Sequence, residues 1–158
     1  MADARFEDGA EAPLHLMALD PDDLPVISAL VQDAVFTAAD MRWQKGPRRF
    51  AVLLNRFRWE DRAAAERHGR AYERVRALLV ISDVLAVRRQ GIDPRDGDMV
   101  LSLLSVTFEP GEDGAGQVIL TLAGDGAVAL DVECLDVALR DVTRPYRAPS
   151  GSAPTHPE

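Results

Sequence analysis

"QVILTLAGDGAVALDV", residues 117–132, decides the fold class. Val118, Leu120 and Leu122 alternate with their neighbours at the two-residue period of a strand with one buried face. Val128, Leu130 and Val132 repeat that period beyond Gly124–Asp125–Gly126, residues that accept left-handed backbone at little cost. Two strands joined this tightly pair antiparallel, so an antiparallel sheet is expected. The next stretch, "ECLDVALRDV", places Leu135, Ala138, Leu139 and Val142 on one helical stripe, and this spacing predicts a helix over Glu133–Val142.

Further strands precede the hairpin. "MVLSLLSVTFE" at 99–109 is apolar on both faces in its middle, as a central strand would be. "VRALLVI" at 75–81 and "VLAVRR" at 84–89 read as two strands, or one bent at Ser82–Asp83. Arg48–Trp59 reads as a strand after the turn "QKGP", and Ala34–Trp43 as another. A first strand is expected at Leu14–Leu19. In "DPDDLPVISALVQ", Asp20 can cap and Pro21 suits a first helical position, while Leu24, Ile27, Leu30 and Val31 form one stripe. A short helix is expected near Ala63–Arg67. These elements predict an α+β fold: an antiparallel β-barrel or roll of about seven strands closed by a C-terminal helix, in pleckstrin-homology-like order, after an extra strand and helix. A two-layer roll is the alternative. The globular domain is expected at 14–142, with 1–13 and 143–158 disordered.

Charge is unevenly spread. The chain carries −8 overall, yet Arg42–Arg76 holds eleven basic and four acidic residues, or +7, which leaves −15 elsewhere. A general affinity for nucleic acid or anionic membrane is therefore disfavoured. No apolar run is long enough to span a bilayer. An acidic, polar start and a single cysteine, Cys134, lead us to expect no secretory signal and a cytoplasmic protein.

Three separated blocks, "ALDPDDLPVISALVQDAV", "RRFAVLLNRFRWE" and "LTLAGDGAVALDVECLDVALRDV", resemble an uncharacterised bacterial family, domain-of-unknown-function family 2948. The resemblance covers residues 14–142 and implies a small cytosolic bacterial protein. It implies no activity, cofactor or catalytic residue.

The residues offer little recognisable chemistry. His15, His68 and His156 are far apart, so no zinc spacing arises and no metal or cofactor is expected. "DPRDGD" at 93–98 lacks the glutamate of a calcium loop, Leu104 standing at the twelfth position. Cys134 is expected to be a small buried residue at the entry to the last helix, whose N-terminus could otherwise lower its pKa. Asp131 and Glu133 share a strand end, but nearby Asp136 and Asp141 suggest an acidic surface. The glycine-rich loops separate antiparallel strands and do not lead into helices, unlike phosphate loops.

"NRFRWED", 55–61, is the stretch that most invites a function. In an extended strand Arg56 and Arg58 continue the face of Phe50, Val52 and Leu54, while Asn55, Phe57 and Trp59 continue that of Ala51 and Leu53. Arg56 and Arg58 are then expected either to face solvent and pair with Glu60, Asp61 or acids on a neighbouring strand, or to bind an anion. The anion face would comprise Arg49, Arg56, Arg58, Arg88 and Arg89. The leading expectation is a non-enzymatic binding or adaptor protein, acting on an unknown protein partner or as a homo-oligomer. A binder of RNA, nucleotide or another small anion ranks second, with nucleic acid weakly supported, and an enzyme with an unrecognised site third.

Overall fold

The computed structural model describes residues 13–154. Their strands form one open antiparallel sheet in the order β1-β10-β5-β4-β2-β7-β8-β9-β6. These are β1 (His15–Ala18), β2 (Val35–Thr37), β4 (Arg49–Phe57), β5 (Glu73–Ile81), β6 (Val84–Gln90), β7 (Val100–Pro110), β8 (Gly116–Leu122), β9 (Ala127–Val132) and β10 (Val137–Asp141). Two short strands lie off that path: β3 (Met41–Gln44) beside β4, and β11 (Tyr146–Arg147) beside β5. The described residues also form two short α-helices, α1 (Leu24–Leu30) and α2 (Arg62–Arg67).

β7 joins the two halves of the sheet. Its first residues pair with β2, through Val35↔Ser102 and Thr37↔Val100, whereas Leu103–Pro110 pair with β8. The register slips between Leu103 and Ser105, so the strand bends there while keeping Leu101, Leu103 and Val106 buried. Phe50, Leu79 and Leu139 from one half and Leu120, Leu130 and Val132 from the other therefore meet in one core.

The 117–132 hairpin forms as its sequence predicts, with Val118↔Leu130 and Leu120↔Val128 opposed and positive φ at Gly124 and Asp125. The α+β, mainly antiparallel character holds. The expected C-terminal helix does not form: Glu133–Val142 contains β10, inserted between β1 and β5. Leu135 and Leu139 fit a helical and a strand pattern equally. Neighbours on both sides favour the strand, because two flanking ladders satisfy its backbone while Val137, Leu139 and Asp141 point inward. Without that helix, and with open edges at β1 and β6, the closed pleckstrin-homology-like order is absent.

Smaller departures also have local causes. The expected strand Ala34–Trp43 breaks at a 3₁₀ turn, Ala38–Asp40, because the Asp40 carboxylate accepts from the Thr37 backbone N–H and hydroxyl at 2.9 and 3.0 Å. α1 begins at Leu24, with Pro25 in its first turn; Asp20 instead accepts from the Asp22 N–H at 2.9 Å in the lead-in turn. The segment from Thr143, expected to be disordered, returns to the sheet as β11 and buries Ala148. The expectation for the N-terminal segment falls, but for Pro13, outside the described residues, as does His156. No described helix is long and apolar enough to cross a membrane.

Candidate functional site

The even face of β4 remains a core face to its end. Phe50, Val52, Leu54 and Arg56 are all buried, and Arg56 is 0% exposed. Its guanidinium donates to Asp141 through Nε and Nη2 at 3.0 and 2.9 Å. Nη1 and Nη2 donate to the two oxygens of Glu60 at 2.9 and 2.8 Å, and Nη1 also reaches the Phe57 carbonyl at 3.4 Å. Such a double fork suits arginine's planar set of donors. Burial opposes the charge of Arg56; the bonds to Glu60 and Asp141 outweigh it and raise the pKa further above its ordinary value. Asp141 also accepts the Leu14 N–H at 3.0 Å, so one cluster ties β1, β4 and β10 together.

Arg58, 5% exposed, donates to Glu73 and lies 3.7 Å from Asp61. Asp61 in turn accepts two bonds from Arg70, at 3.0 and 3.1 Å. The expected pairing with Glu60, Asp61 and a neighbouring-strand acid is present, but the expected solvent exposure of Arg56 and Arg58 is not. Asn55, on the face of Ala51 and Leu53, lies half-buried on the outer side of the sheet, where its side-chain and backbone oxygens accept from Arg74 at 3.1 and 3.0 Å. Phe57 is buried and meets the Trp59 ring edge-on, with centroids 4.7 Å apart. The other sequence-selected arginines stand elsewhere. Arg88 and Arg89 are exposed on β6, with Arg88 forked onto Asp131 at 2.9 and 3.1 Å, while Arg49 is exposed on β4. The five arginines thus divide between the buried Arg56–Arg58 cluster, the exposed start of β4 and the edge strand β6.

The remaining candidates are surface features. Cys134 is exposed, not buried, and precedes a strand. Its thiol donates to Asp83 at 3.2 Å, and that bond, with a little desolvation, pushes its pKa up, opposite to a helix-activated cysteine. Glu133 pairs with Arg48 at 3.1 Å. Among the described residues no group of three His, Cys, Asp or Glu side chains is placed to hold a metal.

A concavity lies between α1 and β7, a feature the sequence reading missed. It encloses about 510 Å³. One wall is Pro21, Leu24, Pro25, Ser28, Ala29 and Gln32; the other is Leu104–Phe108. β2 leaves β7 after Ser102, so no strand among the described residues covers the far edge of Leu104–Pro110. The Val106 N–H points toward that edge and donates to Ser28 Oγ at 2.9 Å. Strand alternation then turns the Val106 carbonyl and both backbone groups of Phe108 to the same side, away from β8. α1 keeps its distance because Leu24 and Ile27 pack inward, Ser28 bridges to β7, and the Trp59 indole N–H holds the Gln32 carbonyl at 2.9 Å. One sequence trace of this site is the doubled Leu103–Leu104, where alternation fails at the bulge.

This arrangement combines apolar walls with a row of outward backbone donors and acceptors, the chemistry that recognises another extended backbone. No curated protein and no solved structure matches the chain. The family profile described as "Protein of unknown function (DUF2948)" matches residues 14–156, and the chain belongs to that family.

Proposed function

We propose that the protein is a non-enzymatic adaptor that binds an extended peptide segment of a partner protein in the groove between α1 and β7, by adding a strand to β7. The observation that carries this reading is the uncovered edge of Leu104–Pro110 beside an apolar groove. Main-chain bonds to the Val106 carbonyl and to both backbone groups of Phe108 would supply affinity, and alternate side chains lying over Leu24, Pro25 and Ala29 would supply selectivity. A helix is one common way to protect a sheet edge, yet here α1 leaves a gap of ligand size.

Selection from a random peptide library against the purified chain tests the reading. Recovered peptides should perturb α1 and β7 resonances and lose binding to Ala29→Trp, which fills the groove from an exposed helix position. Peptides that bind Ala29→Trp unchanged would refute it.

A second reading keeps part of the anion expectation. Arg49, Arg140 and His15, with one acid, Asp136, line a hollow of about 450 Å³ on the outer face of β1, β10, β5 and β4, and neither arginine joins an ion pair among the described residues. Inorganic phosphate or ATP should then shift resonances there in the native chain and not in Arg49→Glu/Arg140→Glu; no shift in the native chain removes this reading.

A further inference from the structure

We infer that the peptide taken by the α1–β7 groove is basic, carrying lysine or arginine beyond the end of its extended segment that lies at Phe108. This rests on the strand-addition reading and supplies the chemistry of the partner.

The walls of the groove come from two stretches, 14–41 and 96–139, that contain no lysine or arginine at all. They contain five and nine acids respectively. The Asp33 N–H donates to the Leu103 carbonyl at 2.7 Å, and Leu103 donates back to Ala34 at 2.9 Å. Ser28 meets Val106 further along. α1 therefore runs antiparallel to β7, and its Pro21 end lies toward Phe108. Asp20, Asp22 and Asp23 flank Pro21, Glu109 follows Phe108, and all four are exposed. None of them joins an ion pair among the described residues. At the opposite end the one acid, Asp33, stands near a cation, Arg74, whose pKa burial lowers and whose charge Tyr146 and Asp33 partly restore. The groove thus has an unneutralised acidic mouth at one end only. A basic flank would meet complementary potential, and an acidic one would meet bare carboxylates.

The test uses the full chain and synthetic peptides of alternating valine and threonine, capped at both termini. They differ in one terminal pair, lysine, serine or glutamate, placed at either end in separate syntheses. With the pair at the end that suits the strand direction, the lysine peptide should bind about fivefold tighter than the serine peptide, the scale of two exposed charge contacts. Glutamate should bind weakest, and high salt should narrow the differences. Asp22→Lys/Glu109→Lys, altering two exposed positions, should invert the order. Equal affinities with the Phe108 amide still protected would overturn the charge inference and leave strand addition standing. Failure of every peptide to bind would overturn both.

Discussion

Replacing Arg56 by methionine tests whether the "NRFRWED" arginines act inside the fold. Methionine matches much of the unbranched stem and removes every polar contact. Arg56 is fully buried, and Asp141 is 8% exposed. After the substitution Glu60, with 28% of its side chain exposed, can return to water. Asp141 cannot, and keeps the Leu14 N–H as its remaining side-chain bond. The loss should therefore be that of a broken buried pair, about 3–5 kcal/mol. For a chain of this size that corresponds to a fall in Tm of roughly 6–20 °C. Urea unfolding followed by circular dichroism measures it, with an unchanged m-value showing that the native state has not loosened. Arg56→Met/Asp141→Leu removes the stranded carboxylate and should recover a substantial part of the loss. A single-variant loss below about 1 kcal/mol, the scale of an exposed pair, would refute the reasoning. So would a double variant no more stable than Arg56→Met.

Other expectations follow from the same contacts. Asp83 accepts from the Cys134 thiol and raises its pKa, so alkylation at neutral pH should run slower than for a free thiol despite exposure, and Asp83→Asn should speed it; a native rate at or above that of free cysteine contradicts this. The Tyr72 hydroxyl and Arg62 hold the Glu66 carboxyl below its ordinary range. The stabilisation this provides is complete above the ordinary glutamate pKa and disappears as pH falls through the lower folded value. Tyr72→Phe should move the Glu66 midpoint upward in an NMR titration, and an unmoved midpoint would count against the bond. Ser28→Ala frees the Val106 N–H into the groove and should accelerate its hydrogen exchange, with a stability loss of about 1 kcal/mol.

The antiparallel sheet was legible wherever one local period was unambiguous. Val118, Leu120, Leu122, Val128, Leu130 and Val132 all fall on one two-residue period, and the turn residues between them accept the left-handed geometry that the hairpin requires. Glu133–Val142 satisfied two periods at once, and only its place between β1 and β5 decides between them. Asp141 obscured the strand further, because a buried carboxylate looks like a surface residue until Arg56, eighty-five positions earlier, is brought beside it. The same long-range pairing explains why Arg56 read as a solvent-facing cation. A guanidinium enters a core only when its partners arrive from distant strands. The groove was illegible for a related reason. An uncovered strand edge depends on where neighbouring strands stop, and nothing within Leu104–Pro110 records that β2 ends its pairing at Ser102. The absence of lysine and arginine from both walls was readable in the chain, but it acquired meaning only once α1 and β7 were adjacent.

Strand addition at β7 is tested most directly at the Phe108 amide, which faces the groove. Hydrogen exchange followed by NMR, with and without the lysine-flanked valine–threonine peptide, should show that amide slowed at least about tenfold, as for a newly formed ladder bond. The effect should disappear in Ala29→Trp. An exchange rate at Phe108 unchanged by saturating peptide would contradict the account.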